Sequence, residues 1–127
     1  MYPKTFEEAC TITGENPSDE KFSTGTPDEI AYKKLKFIVA ATNREDNSGK
    51  EWNPDWNDRN VRKWFPWWDK EVDSNNPSGF RLIDSFYDIT TTYTPSRLCF
   101  KSKDGLLHVC ESKAFLPLWK DFMTMPK

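Results

Sequence analysis

EWNPDWNDRNVRKWFPWWD, residues 51–69, holds Trp52, Trp56, Trp64, Trp67 and Trp68, five of the six tryptophans in the chain, together with Phe65. The rings of this stretch are either the main anchor of the core or a displayed binding surface. Pro54 and the pair Asn57-Asp58 break regularity, so residues 52–60 read as an ordered loop. Residues 61–68 are β-prone, but Pro66 has no N–H to give a ladder, which confines this strand to a sheet edge or ends it there. Alternation along the strand sends Trp64 and Phe65 to opposite faces, so the rings do not all share one surface.

Downstream, residues 70–79 contain Asn75-Asn76-Pro77-Ser78-Gly79 and read as a turn-rich connection. Residues 80–92 predict the longest strand, with Phe80, Leu82 and Phe86 on one face and a β-branched ITTT run at its end. After a turn around Pro95, residues 97–101 (RLCFK) predict a short third strand. The last helix is expected over about 104–123, with Leu107, Cys110, Ala114, Leu118 and Phe122 as its apolar stripe and Val109, Phe115 and Trp119 beside it. Pro117 would kink or split it.

Upstream, residues 43–50 (NREDNSGK) read as a mobile polar loop. The clearest start signal is Thr26-Pro27-Asp28-Glu29, with Thr at the N-cap, Pro at the first helical position and Glu at the third. This helix is expected to run to about Thr42, with Ala31, Leu35, Ile38, Val39 and Thr42 as its buried stripe. Lys33, Lys34 and Lys36 fall toward the other side, where a solvated face is the plain reading and a nucleic-acid contact the sharper one. A first short helix is expected over 5–11, opened by Thr5 and Glu8 as a capping box and stopped at Gly14. The polar connector 15–25 carries Phe22 as its single apolar anchor.

A chain of 127 residues fits one domain, 1–127, with one modest core. Its mean hydropathy is low, −0.81, but aromatics make up 15% of residues, so a core built from rings is expected. Net charge is −2, which gives no general attraction to nucleic acid or anionic membrane. No apolar run approaches the length of a membrane span, and there is no apolar leader segment. Cys10, Cys99 and Cys110 have no metal-binding spacing and read as buried free thiols of a reducing cytoplasm. The fold expected is α+β, a small antiparallel sheet of about three strands with the N-terminal and C-terminal helices packed on one face.

The series TFEEACTITGEN, AYKKLKFIVAATN, WNPDWND, KWFPWW and SRLCFKS, in this order, resembles that of a family of small uncharacterised proteins of phages and prophages from anaerobic gut bacteria. The resemblance covers most of the chain. It departs from the family pattern where KWFPWWD replaces a tyrosine pair and where GLLHVCESKAF follows the last strand. The resemblance implies an origin in a mobile element and a setting in the host cytoplasm or a virion. It supplies no reaction.

Chemistry is sparse by motif. There is no phosphate-binding glycine loop, no HExxH and no zinc spacing. His108 is the sole histidine and reads as structural. Asp55, Asp58, Asp69, Glu71 and Asp73 could hold a hard divalent ion, but they alternate with Arg59, Arg62, Lys63 and Lys70, which suggests salt bridges. The expectation is a non-enzymatic accessory protein without cofactor or metal. It would bind a host or virion protein through Trp56, Arg59, Arg62, Trp64, Trp67, Trp68 and Arg97. The alternative is a binder of single-stranded nucleic acid or a small nucleotide, with the rings of 52–68 stacking bases and the arginines neutralising phosphate.

Overall fold

A computed structural model of the chain describes residues 1–53, 62–69, 81–88 and 98–123, and for residues 67, 69 and 81–88 the backbone alone. The order of elements is helix α1 (Phe6–Thr13), a 3-10 turn (Glu20–Phe22), helix α2 (Pro27–Asp46), strands β1 (Lys63–Asp69) and β2 (Arg81–Asp88), and helices α3 (Lys103–Glu111) and α4 (Leu116–Met123).

Helix α1 starts where its cap predicts. Thr5 accepts the Glu8 N–H on its hydroxyl at 3.1 Å, while the Glu8 carboxylate reaches past Thr5 to the Lys4 N–H at 2.6 Å. At the other end Gly14 takes φ 78°, the left-handed conformation that glycine adopts without penalty, and the N–H of Glu15 closes on the Cys10 carbonyl at 2.8 Å. Arg44 of α2 donates to the Ile12 carbonyl at 3.2 Å, satisfying one more orphan acceptor of the helix end.

Helix α2 is the organising element. Its expected stripe of Ala31, Leu35, Ile38, Val39 and Thr42 is buried throughout, and Ala41 joins it. The helix then continues through Asn43–Asp46, which sequence alone assigns to a mobile loop. The reason is that these polar side chains have tertiary partners. The Asn43 amide donates to the Cys99 carbonyl and accepts the Lys101 N–H, each at 3.0 Å. The Asp46 carboxylate receives the Tyr2 hydroxyl at 2.6 Å and the Ser102 hydroxyl at 2.5 Å.

The N-terminal residues form a strap across α2 and α3. Besides the Tyr2–Asp46 bond, the His108 Nε2 lies 2.6 Å from the carbonyl of Pro3, which is almost fully buried. The Tyr2 and His108 rings are 5.2 Å apart. Ser102 caps α3 by accepting the Gly105 N–H at 3.0 Å. Gly105 sits where α3 crosses α2, and a Cβ there would stand 2.8 Å from the Asp46 carboxylate and 3.0 Å from the Thr42 methyl. Gly105→Ala should therefore lower the unfolding free energy by about 1–3 kcal/mol, the usual range for overpacking. Urea unfolding measures this, and an unchanged midpoint would mean that the helices part without cost.

The single long C-terminal helix of the sequence reading is two helices. Pro117 is the second residue of α4, where no N–H is required of it. Ser112 accepts from both Phe115 and Leu116, so the chain turns between α3 and α4. This break changes the buried set. Leu106, Val109, Cys110, Phe115 and Trp119 are buried, whereas Ala114 is exposed and Leu107, Leu118 and Phe122 are half-buried.

The expected α+β architecture with a three-stranded sheet is overturned. The described residues are mainly helical, and β1 and β2 form only a two-stranded antiparallel ribbon with a register shift between Trp67 and Trp68. Residues 98–101, the described part of the expected third strand, do not form one. Within them Phe100 makes one isolated bridge to Trp64, with N–H···O distances of 2.8 and 2.9 Å in the two directions. Two features limit it to one pair. The next antiparallel position would set Pro66 opposite Leu98, and Pro66 has no N–H to donate. On the other side Ser102 is still extended but already caps α3, and the chain turns into helix at Lys103. The opposite edge of this segment is taken by the Asn43 side chain, which stands in for a neighbouring strand.

Candidate functional site

Of the residues expected to form a partner surface, Trp56, Arg59 and Arg97 lie outside the described residues, and Trp67 is described in its backbone only. Arg62, Trp64 and Trp68 are described and lie on one run of chain, Arg62 just before β1 and the two rings within it. Trp64 is pinned through its backbone to Phe100, and both rings pack on the helical core while remaining half-buried. The Trp68 ring meets the Trp119 ring at 5.2 Å with the planes tilted by 40°. Trp119 is 1% exposed and donates its indole N–H to the Val109 carbonyl at 3.3 Å. Trp64 and Trp68 thus pack on the core while leaving part of each side chain accessible. Arg62 is exposed beside them.

Lys63, next to Trp64, is fully buried, a placement that no sequence signal suggests. Ammonium burial is costly unless the charge is engaged, so this lysine belongs to the frame of the hairpin. Asn43 is likewise invisible in the sequence as a site residue. It holds residues 99–101, and through Phe100 it fixes the position of Trp64.

The groups that sequence reading tested for catalysis are committed elsewhere. The His108 ring is in contact with the Pro3 carbonyl, Tyr2 and Phe115. All three cysteines are buried. Burial pushes the Cys99 thiol up to about 11, against smaller lowering by a backbone hydrogen bond and the nearby Lys63 charge. Burial raises Cys110 further, with the Glu111 charge adding to it, and it raises Cys10 together with Glu15 and Glu7. Thiolates are the reactive form. The folded protein at pH 8 should therefore leave an aromatic disulfide reagent unreacted over minutes, and should release three equivalents of thiol in denaturant. Rapid reaction of one equivalent in the folded state would show an accessible thiolate.

Among the described residues no group of three or more His, Cys, Asp or Glu side chains is placed to hold a metal ion. Asp55, Asp58, Glu71 and Asp73 lie outside the described residues, and Asp69 is described in its backbone only. No helix among the described residues is long and apolar enough to cross a membrane.

The lysines on α2 are not merely solvated. Lys34 stands over the Phe6 ring at 5.4 Å and Lys36 over Phe37 at 5.6 Å. Lys33 donates to the Thr24 carbonyl at 3.0 Å.

Fold and site together define a small, mainly helical protein carrying an aromatic hairpin. Comparisons with protein-family models, with curated proteins and with solved structures each returned no match.

Proposed function

We propose that this chain is a non-enzymatic binding protein that makes protein–protein contacts through its aromatic hairpin and the adjoining C-terminal helices. The observation that carries this reading is the half-burial of Trp64 and Trp68 on a fixed frame, with the exposed Arg62 beside them. Trp and Arg dominate binding energy at protein interfaces. Rings already held on one side have little rotamer freedom left to lose on binding. The commitment of His108 and the thiols to the fold favours binding over catalysis. The phage or prophage origin, and action on a host or virion protein in the bacterial cytoplasm or within a particle, rest on the sequence resemblance alone.

The test is affinity capture from lysate of a gut anaerobe by the immobilised full chain, compared with Arg62→Glu. Circular dichroism of the two should be the same. A protein retained by the parent and released by the variant is the expected result. Equal capture by both removes the reading. Tryptophan emission titrated with a nucleotide panel provides the opposing outcome, because saturable quenching lost in Arg62→Glu would replace a protein partner with a nucleotide.

A further inference from the structure

Away from the hairpin, α1, the 3-10 turn and α2 build a second ring-rich surface. Phe6, Phe22 and Phe37 meet edge to face in a row, with centroids 4.9 and 5.5 Å apart. Phe22 is buried and holds the row together, whereas Phe6 and Phe37 at its ends are half-buried. Ammonium groups surround the row. Lys34 lies over Phe6 at 5.4 Å and Lys36 over Phe37 at 5.6 Å. Lys21 lies 5.1 Å from both Phe22 and Phe37. Lys33 is fixed nearby on the Thr24 carbonyl.

Glu15 meets Lys21 at 2.7 Å, and Asp19 adds a second negative charge near that lysine. The remaining lysines of the facet are Lys33, Lys34 and Lys36, and Asp28 and Glu29 in the first turn of α2 oppose their charge at the Lys33 end. Glu7 is exposed on α1, and it limits the field at the Phe6 end. An ammonium over a ring face keeps N–H donors for a phosphate on its outer side, and the ring contact has already fixed its position. Cations interleaved with partly open aromatic faces are the composition that binds unpaired bases and their phosphates without sequence preference.

We propose that this facet of α1, the 3-10 turn and α2 binds single-stranded nucleic acid, with phosphates on Lys33, Lys34 and Lys36 and bases against Phe6 and Phe37. This site is separate from the hairpin and does not depend on the function assigned to it. The chain's overall charge of −2 confines the attraction to this facet and makes binding weak at physiological salt.

The experiment is fluorescence anisotropy of a labelled oligothymidine titrated with the full chain at low salt. Saturable binding is expected. With about 0.7 counterions released per phosphate on a single strand, three contacts weaken binding about a hundredfold for a tenfold rise in salt. The double variant Lys34→Glu, Lys36→Glu should weaken it at least tenfold. Phe37→Leu should weaken it about fivefold or more if a base stacks there. Phe6→Leu gives a second reading of the same kind. Both are compared at unchanged circular dichroism. Arg62→Glu should leave the affinity as it is.

No binding at low salt overturns the proposal. So does binding that survives the double variant. Equal affinity for duplex and single strand together with indifference to both phenylalanine variants removes the stacking role. Loss in Arg62→Glu but not in the double variant would move the nucleic-acid site to the hairpin. Because protein capture is read through Arg62 and oligonucleotide binding through Lys34 and Lys36, failure of one leaves the other standing.

Discussion

Trp119→Ala lowers the unfolding free energy by about 3–5 kcal/mol, a large part of what a domain of this size possesses. Trp119 is the largest of the fully buried side chains and joins three parts of the molecule. Its ring packs on Trp68 and so couples α4 to the hairpin. Its indole N–H serves the Val109 carbonyl, one of the last acceptors of α3, which has no partner within its own helix. Alanine removes the ring volume and the hydrogen bond together, and a tight turn between α3 and α4 gives the cavity little room to collapse. Trp119→Phe keeps most of the volume and should cost about 1–2 kcal/mol, isolating the hydrogen bond and the smaller shape change. Urea unfolding followed by far-ultraviolet circular dichroism measures both. A loss below about 1 kcal/mol for the alanine variant would mean that α4 is not structurally coupled to the rest.

Asn43→Ala should cost about 2–4 kcal/mol, far more than the average exposed asparagine, because two backbone groups lose their partners at once. The Cys99 carbonyl is in the interior and has no ready replacement, while the Lys101 N–H is nearer to water and recovers part of its loss. Asn43→Asp keeps the acceptor for Lys101 but turns an oxygen toward the Cys99 carbonyl, so it should be no better than alanine at neutral pH. Hydrogen exchange gives the local readout. The Phe100 and Trp64 amides, which bond each other's carbonyls, should exchange faster in both variants. If they keep their protection while global stability falls, Asn43 acts on the helix and not on the bridge.

The helix starts are legible in the sequence because a cap is a local device. Thr5 and Pro27 act within one turn of themselves, and the α2 stripe follows from periodicity alone. Pro117 announces a break in the last helix for the same reason, although the chain turns earlier, at Ser112. Asn43–Asp46 are misread as loop because their partners are residues 1, 2, 12, 99, 101 and 102, remote in sequence and without a local signature. The third strand fails for a related reason. RLCFK is intrinsically β-prone, but a strand needs a neighbour with free donors, and Pro66 denies it one.

At the site, the ring count marks the hairpin, and Arg62, Trp64 and Trp68 lie there on one run of chain. The sequence does not say that Trp64 and Trp68 divide themselves between core and solvent. The alternation of Lys and aromatic residues in AYKKLKF is the visible trace of the second ring surface. Its completion by Phe22 depends on how the 15–25 connector folds back.

The strap formed by Tyr2 and Pro3 also bears on how the chain comes into being. Pro3 meets His108 across 105 positions, and Tyr2 approaches Ser102 across 100. During synthesis α1 and α2 can associate soon after they emerge, and Tyr2 can then reach Asp46, but the strap is complete only once Ser102 and His108 have left the ribosome. Contacts of such long sequence separation slow folding, since loop closure must precede any gain from them. The contacts of Tyr2 with Ser102 and of Pro3 with His108 are thus among the last to form. A bulky group fused ahead of Met1 would be expected to delay this final closure while leaving the early helical pair intact.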